Sequence, residues 1–258
     1  AGAGSAITGS LEFDVTGDYL SIGSSSDFSY GTGDFTWEMW IYSGDSSGNR
    51  YILDHGINGG TIANLSPPRY YNSTIGTGGV LYTTGFGSIS ANSWYHFALV
   101  RSNGTTSLYK NGILMSSASD SHDYGEQKVS IGAYGGSAAV LDWKGFISNL
   151  RIVKGTALYT EDFIPPTREL KKVPGTVLLC CQDPNDPTTE ATGKTITGYG
   201  NLDADTSSEN LITNGNFTTS ASDGWTVVEG TGTTVLGSAQ SGTFLDGPHL
   251  VLTATSGS

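Results

Sequence analysis

The sequence predicts an all-β protein built from antiparallel sheets. Its 258 residues include 37 glycines, 10% are aromatic, and only 14% are charged. Short alternating apolar runs are separated by Gly-rich turns, whereas the long Ala, Glu, Lys and Leu blocks that favour helices are missing. A chain of this length can bury a substantial core, either as one large β domain or as two smaller domains.

The clearest evidence for antiparallel pairing lies in residues 94–115. Two Asn-Gly pairs, Asn103-Gly104 and Asn111-Gly112, each separate two strand-like runs. Asn and Gly tolerate the positive φ angles of a type I′ turn, so two such turns in succession predict a three-stranded meander with a fixed register. That register is defined by two opposed pairs, Leu99 with Leu108 and Tyr109 with Leu114.

Alternation also predicts strands elsewhere in the chain. Residues 35–42 form the strongest early strand, with apolar residues at the odd positions facing the core and a mixed set on the other face. Weaker or shorter strands are predicted at residues 11–15, 19–22, 51–54, 62–65, 80–82, 129–132, 145–153, 176–181, 194–197 and 200–202. We assign residues 1–205 to a first domain and residues 206–258 to a short second β segment.

Charge and cysteine content exclude several classes of function. The net charge is −12 and only 12 residues are Lys or Arg, so no basic stripe is available to bind nucleic acid. No apolar run reaches the ~18 residues of a membrane span, so membrane insertion is not expected. Cys180 and Cys181 are expected to stay reduced, with at least one of them buried, because neighbouring strand residues point to opposite faces.

Two segments carry a resemblance to a known family. The block Trp-Tyr-His-Phe-Ala-Leu-Val-Arg at 94–101, followed by Leu-Tyr-Lys-Asn-Gly, resembles the laminin-G-like domains of the concanavalin A-like lectin/glucanase superfamily. Residues 145–166 resemble their closing strand, and the Lys-Gly-Thr-Ala-Leu-Tyr-Thr run within them resembles a variant found in phage and marine-virus structural proteins. The resemblance implies a jelly-roll sandwich. Residues 210–227 resemble the opening of a carbohydrate-binding-module-like β-sandwich.

Enzymatic activity is not expected from this pattern. Glucanases of the superfamily carry Glu-x-Asp-x-x-Glu on one strand, and retaining hydrolysis requires two carboxylates about 5–5.5 Å apart. Glu38 lies on the nearest strand but lacks both partners, so it is interpreted as a solvent-facing residue. The four histidines are widely spaced and form no local zinc motif. His96 is expected to be packed among aromatic side chains.

Carbohydrate binding is the activity that the resemblance implies most directly. Sugar faces stack on exposed aromatic rings, and polar loop groups bind the hydroxyls. The predicted contact residues are Tyr70, Tyr71, Tyr82 and Trp143, with Tyr70-Tyr71 beside Pro67-Pro68 as the best-supported pair. Other loop or strand-end aromatics are Phe86, Tyr124 and Tyr134. For each of these rings taken singly, the alternative is that it packs against its neighbours and contacts no sugar.

A calcium ion is the one cofactor that the resemblance suggests. Laminin-G-like domains often hold Ca²⁺ at the sandwich rim, and hard oxygen ligands suit this ion. Asp54, Asp123 and Asp142 lie near strand ends and are the predicted ligands. The alternative is that these residues are solvated loop acids that cap turns.

The resulting functional hypothesis is a non-enzymatic virion structural protein. It would decorate a capsid or form part of a tail fibre or appendage, at the virion surface, where it contacts host-surface glycans or other virion subunits. The alternative is a secreted or cell-surface bacterial glycan-binding adhesin. Residues 206–258 are too few for an independent two-sheet core, so they are expected to pack elsewhere and to support a homo-oligomer.

Overall fold

The computed structural model describes residues 7, 9–15, 17–45, 50–56, 61–64, 68–71, 85–135 and 142–202. These residues confirm the all-β prediction, and no helix among them is long and apolar enough to cross a bilayer. One 3₁₀ turn spans Ser26–Phe28. The strands are β1 (Leu11–Asp14), β2 (Tyr19–Ser25), β3 (Phe35–Ser43), β4 (Arg50–Asp54), β5 (Thr61–Asn64), β6 (Pro68–Tyr71), β7 (Ser93–Ser102), β8 (Thr105–Lys110), β9 (Ile113–Ser119), β10 (Gln127–Ile131), β11 (Lys144–Lys154), β12 (Thr176–Cys180) and β13 (Ile196–Tyr199).

The strands form two antiparallel sheets. The seven-stranded sheet has the order β1-β11-β3-β7-β8-β9, with β12 also paired to β11. The six-stranded sheet has the order β13-β2-β10-β4-β5-β6. Their inner faces share one hydrophobic core, which is the arrangement of a β-sandwich and agrees with the predicted jelly roll.

The predicted meander is confirmed in β7, β8 and β9. Leu99 pairs with Leu108, and Tyr109 pairs with Leu114. Both connecting turns have the positive φ angles of a type I′ turn, since Asn103 and Gly104 have φ of 49° and 74°, and Asn111 and Gly112 have 51° and 78°.

The outer face of the seven-stranded sheet is covered by residues 155–170, which we call the strap. Gly155, with φ of 81°, turns the chain out of β11. Thr36 Oγ1 then donates to the Thr156 carbonyl at 2.9 Å, and Trp40 Nε1 donates to the Pro166 carbonyl at 3.1 Å. The strap also supplies the apolar partners of a small second core, in which Ala98, Val100 and Tyr109 contact Ala157, Tyr159 and Phe163.

A bulge in β11 positions the chain beyond the strap. Asn149, at the register shift, has a φ of 51°. Its Oδ1 accepts hydrogen bonds of 2.8 Å from both Leu170 N and Gln182 Nε2. The bulge therefore fixes the end of the strap against the segment that follows β12.

The two cysteines are free and buried, as predicted. The geometric reason differs from the predicted one. Cys181 lies just past β12 with a φ of 59°, and its sulfur is 3.7 Å from that of Cys180 rather than on the opposite face. The strand predicted at residues 80–82 and the second segment at residues 206–258 lie outside the described residues.

Candidate functional site

Four tyrosines gather at one end of the outer face of the six-stranded sheet, and we call them the tyrosine row. Tyr199 on β13 pairs directly with Tyr19 on β2, and their rings stack with centroids 4.3 Å apart and 6° between the planes. Tyr51 on β4 packs on Tyr134, which follows β10, with centroids 4.8 Å apart. All four side chains lie outside the main hydrophobic core.

Strand register brings the two tyrosine pairs to the same end of the sheet. Leu20 of β2 pairs with Ile131 of β10, which pairs with Leu53 of β4. One residue further on, Gly132 N donates to the Ile52 carbonyl at 2.9 Å. The row thus crosses neighbouring strands from β13 to β4, and three strand spacings amount to about 14 Å.

Two rings of the row remain open to solvent. Tyr134 is 46% exposed and Tyr199 is 44% exposed. Each exposed ring is backed by the second tyrosine of its pair, which restricts its motion before any ligand arrives. A ring that is already held in place loses less conformational entropy when it binds.

Acidic and basic groups lie beside the row. Arg50 forms an ion pair with Asp45 (Nη2 to Oδ2, 3.2 Å), and its Nη1 donates to the Asp142 carbonyl at 3.1 Å. Burial raises the pKa of Tyr19, and the neighbouring Tyr199 and the Asp142 carboxylate add to this effect. The charge of Asp142 therefore reaches the row.

The predicted aromatic contacts occupy other positions. Tyr70 and Trp143 are fully buried in the core, and the Tyr70 hydroxyl lies 3.0 Å from that of Tyr124. A buried ring cannot stack on a sugar, so the structure contradicts the surface role predicted for these two residues. Tyr71 is described only as backbone in β6, and Tyr82 lies outside the described residues.

The predicted calcium ligands are not brought together. Asp54 is buried and its Oδ2 accepts from Gly135 N at 2.9 Å, whereas Asp123 is exposed beside the bridge between Tyr124 and Gly31. Asp142 is buried near Arg50. Among the described residues, no group of three or more His, Cys, Asp or Glu side chains is placed to hold a metal ion. This contradicts the predicted ligand set, and calcium binding itself stays a prediction.

Glu38 is buried rather than solvent-facing, because the strap covers it. Arg151 donates to its Oε1 from Nε and Nη2 at 2.9 and 2.5 Å, and the Tyr159 hydroxyl donates to its Oε2 at 2.8 Å. His96 Nε2 lies 3.4 Å from Oε2, within ion-pair range. Burial opposes ionisation, but His96 and the charge of Arg151 outweigh it and lower the pKa of Glu38.

The interior holds a second buried histidine, His55. Its Nε2 lies 2.8 Å from the Tyr30 hydroxyl, and its ring stacks on Trp37 with centroids 4.9 Å apart. Burial lowers the pKa of His55 to about 3. His55 is therefore neutral at physiological pH and belongs to the aromatic core.

A shallow cavity of about 390 Å³ lies at the opposite end of β3 from the tyrosine row and is lined in part by Thr32, Arg101 and Asp120. The Asp120 carboxylate is fully buried and accepts from the Thr106 hydroxyl at 2.6 Å and the Tyr124 hydroxyl at 2.7 Å. These contacts fix the loop, and the carboxylate cannot reach a ligand. The tyrosine row is the better candidate site.

Sequence reasoning included Tyr134 among the loop aromatics but missed Tyr19, Tyr51 and Tyr199. The available signal was alternation, because Leu20 and Ile22 face the core and so direct Tyr19 outward. Pairing between β13 and β2, which are far apart in sequence, then creates the stacked pair. No local pattern reports that pairing.

The fold is a two-sheet antiparallel β-sandwich, and the tyrosine row lies on its outer face. The family model described as the concanavalin A-like lectin/glucanases superfamily matches residues 14–161. Since this match covers more than half of the chain, the protein belongs to that superfamily.

One solved structure supports the same fold, and two weaker similarities are reported beside it. A protein from Bacteroides ovatus named for carbohydrate binding is 17% identical, with a TM-score of 0.58 over 76% of this chain and 59% of its own length. Domains LG4-5 of mouse laminin α1 are 13% identical, with a TM-score of 0.43 over 64% of this chain and 48% of theirs. The Limulus polyphemus SAP-like pentraxin is 16% identical, with a TM-score of 0.41 over 73% and 93%. No curated protein sequence matches the chain.

Proposed function

We propose that this chain is a non-catalytic glycan-binding module and that its ligand lies on the tyrosine row. The observation that carries the proposal is the pair of half-exposed rings, Tyr134 and Tyr199, each backed by a second tyrosine on one outer sheet face. Such rings offer an apolar surface to the C–H face of a sugar. Neighbouring polar groups supply the hydrogen bonds that orient a ligand.

The absence of catalysis is part of the proposal. Glu38, the acid closest to the superfamily's catalytic strand pattern, is held by Arg151 and Tyr159 beneath the strap. A carboxylate committed in this way cannot reach a glycosidic bond. Turnover of β-glucan above a buffer blank would contradict this part of the proposal.

The test of binding is a glycan array followed by calorimetry with the hits. Tyr134→Ala and Tyr199→Ala should each weaken binding roughly 3- to 10-fold, the usual worth of one aromatic contact, and the double variant should lose measurable binding. Ile164→Ala is the matched control, because Ile164 is also exposed but lies on the strap. Unchanged affinity in the double variant would show that the ligand does not bind at the tyrosine row.

The biological setting is a further part of the proposal. The module would act at a virion surface, on a capsid or tail fibre, where it touches host-surface glycans or other virion subunits. A bacterial cell-surface or secreted adhesin needs the same open face, so the fold favours neither setting. Mass and stoichiometry of the protein in its native source distinguish them. Self-association and calcium dependence are tested by sedimentation and by binding in Ca²⁺ against EGTA.

A further inference from the structure

We infer that the tyrosine row binds an extended, uncharged glycan of at least roughly three sugar rings, because the row crosses four neighbouring strands. The inference rests on the proposed glycan-binding function and adds the length and charge of the ligand. It follows from two independent features of the site, the number of strands between its two tyrosine pairs and the charged groups beside them.

Ligand length follows from the layout of the rings. Tyr199 stands on β13 and Tyr134 packs on Tyr51 of β4, with β2 and β10 between them. A separation of about 14 Å between these strands exceeds the width of one sugar ring. A monosaccharide can therefore cover one tyrosine pair only, whereas an oligosaccharide can contact both exposed rings.

Ligand charge follows from the groups around the row. Arg50 is paired with Asp45 and donates to the Asp142 carbonyl, and the Lys128 ammonium donates to the Gly135 carbonyl. The Asp45 carboxylate therefore neutralises Arg50, whereas Lys128 keeps its charge because a carbonyl is neutral. Two carboxylates lie close to the row: Asp54 Oδ2 accepts from Gly135 N at 2.9 Å beside Tyr134, and Asp142 acts on Tyr19. The whole chain carries a net charge of −12. A sulfated or carboxylated sugar would meet like charge at this face.

The length of the ligand is tested with neutral oligosaccharides of one to six rings, drawn from the class found on the array. The affinity should rise until both rings are covered and then level off. Tyr134→Ala should remove most of this gain, so that a long ligand binds almost as weakly as a short one. Equal affinity for one ring and for six would overturn the length inference.

The charge of the ligand is tested with a sulfated glycosaminoglycan and a polyuronate at low and high salt. The unmodified protein should bind neutral glycans with no salt dependence and should bind the anionic polymers at least 10-fold more weakly. Thr197→Lys adds a cation on the same face of β13 as Tyr199, since Thr197 is exposed and lies two residues away. This variant should gain anionic binding that salt weakens, whereas Thr197→Gln, the matched control, should not.

The outcomes separate this inference from the function on which it rests. Tyrosine-dependent binding of an anionic polymer that weakens with salt would overturn the charge inference and leave the glycan-binding function intact. Binding of no glycan, or glycan binding that is unaffected in the Tyr134→Ala/Tyr199→Ala variant, would remove both.

Discussion

The outer face of the seven-stranded sheet is closed by the strap, whereas the outer face of the six-stranded sheet keeps two tyrosines nearly half exposed. Both faces carry a stacked ring pair. On the closed face Tyr159 and Phe163 stack with centroids 3.6 Å apart, and on the open face Tyr19 and Tyr199 stack at 4.3 Å. The local geometry is similar, but the surroundings of the two pairs differ.

This difference shows that a covering segment decides the role of an outer-face side chain. The strap converts outer positions of β7 and β8 into a second core, and it covers the buried ion pair between Glu38 of β3 and Arg151 of β11. Within the part of the chain that the structure describes, no such segment crosses the six-stranded sheet, and tyrosines on its outer face stay partly exposed. The closed face is therefore expected to contribute stability, and the open face is expected to contribute binding.

The largest expected effect concerns the core that both faces share. His55 has a pKa of about 3 in the folded protein and about 6.5 when unfolded, so the unfolded chain binds more protons between these values. Stability should be full above pH 6.5 and should fall by roughly 5 kcal/mol as the pH drops to 3. Urea unfolding at several pH values measures this, and His55→Gln should show a shallower loss.

The substitution Glu38→Gln is expected to destabilise the closed face most directly. This change leaves the Arg151 guanidinium buried without its counter-charge, and we expect a loss of about 3–5 kcal/mol in the free energy of unfolding. Glu169→Gln is the matched control, because Glu169 pairs with the exposed Lys171 and should cost less than about 1 kcal/mol. Similar midpoints in urea for both variants would contradict the contrast between buried and exposed pairs.

A smaller effect is expected where the strap meets the ion pair. Burial and the Glu38 carboxylate raise the pKa of Tyr159, so its hydroxyl stays protonated as a donor. Tyr159→Phe keeps the ring stack on Phe163 but removes the hydrogen bond to Glu38, at a cost of about 1–3 kcal/mol. Thermal unfolding tests this, and an unchanged melting temperature would show that the ring alone holds the strap.

The smallest stability change is expected on the open face. Tyr134→Ala and Tyr199→Ala should each alter the free energy of unfolding by no more than about 1 kcal/mol, because half of each ring already faces water. Losses as large as that of Glu38→Gln would mean that the row is structural. A small change in the free energy of unfolding, together with weakened glycan binding, would show that the closed face contributes stability and the open face contributes binding.

Local pattern predicted much of the fold. Asn-Gly pairs tolerate the positive φ angles that a type I′ turn requires, so the meander and its register could be predicted from residues 94–115 alone. Alternation likewise identified the inner face of β3. The outer face was misassigned at Glu38, because the strap that buries it comes more than a hundred residues later in the chain. The candidate site was mispredicted for the same reason. In the sequence Tyr70 and Trp143 are loop or strand-end aromatics, but in the structure both lie in the core.

The sequence by itself determined the fold class, the antiparallel pairing of β7 to β9, and the lack of the Glu-x-Asp-x-x-Glu motif, because each depends on residues close together in the chain. Only the tertiary structure decided which outer face is covered, which acids are paired, and which tyrosines stand together. These features depend on contacts between distant segments, such as β13 with β2 and the strap with β3. Burial is a property of the assembled sheets, and no single strand encodes it.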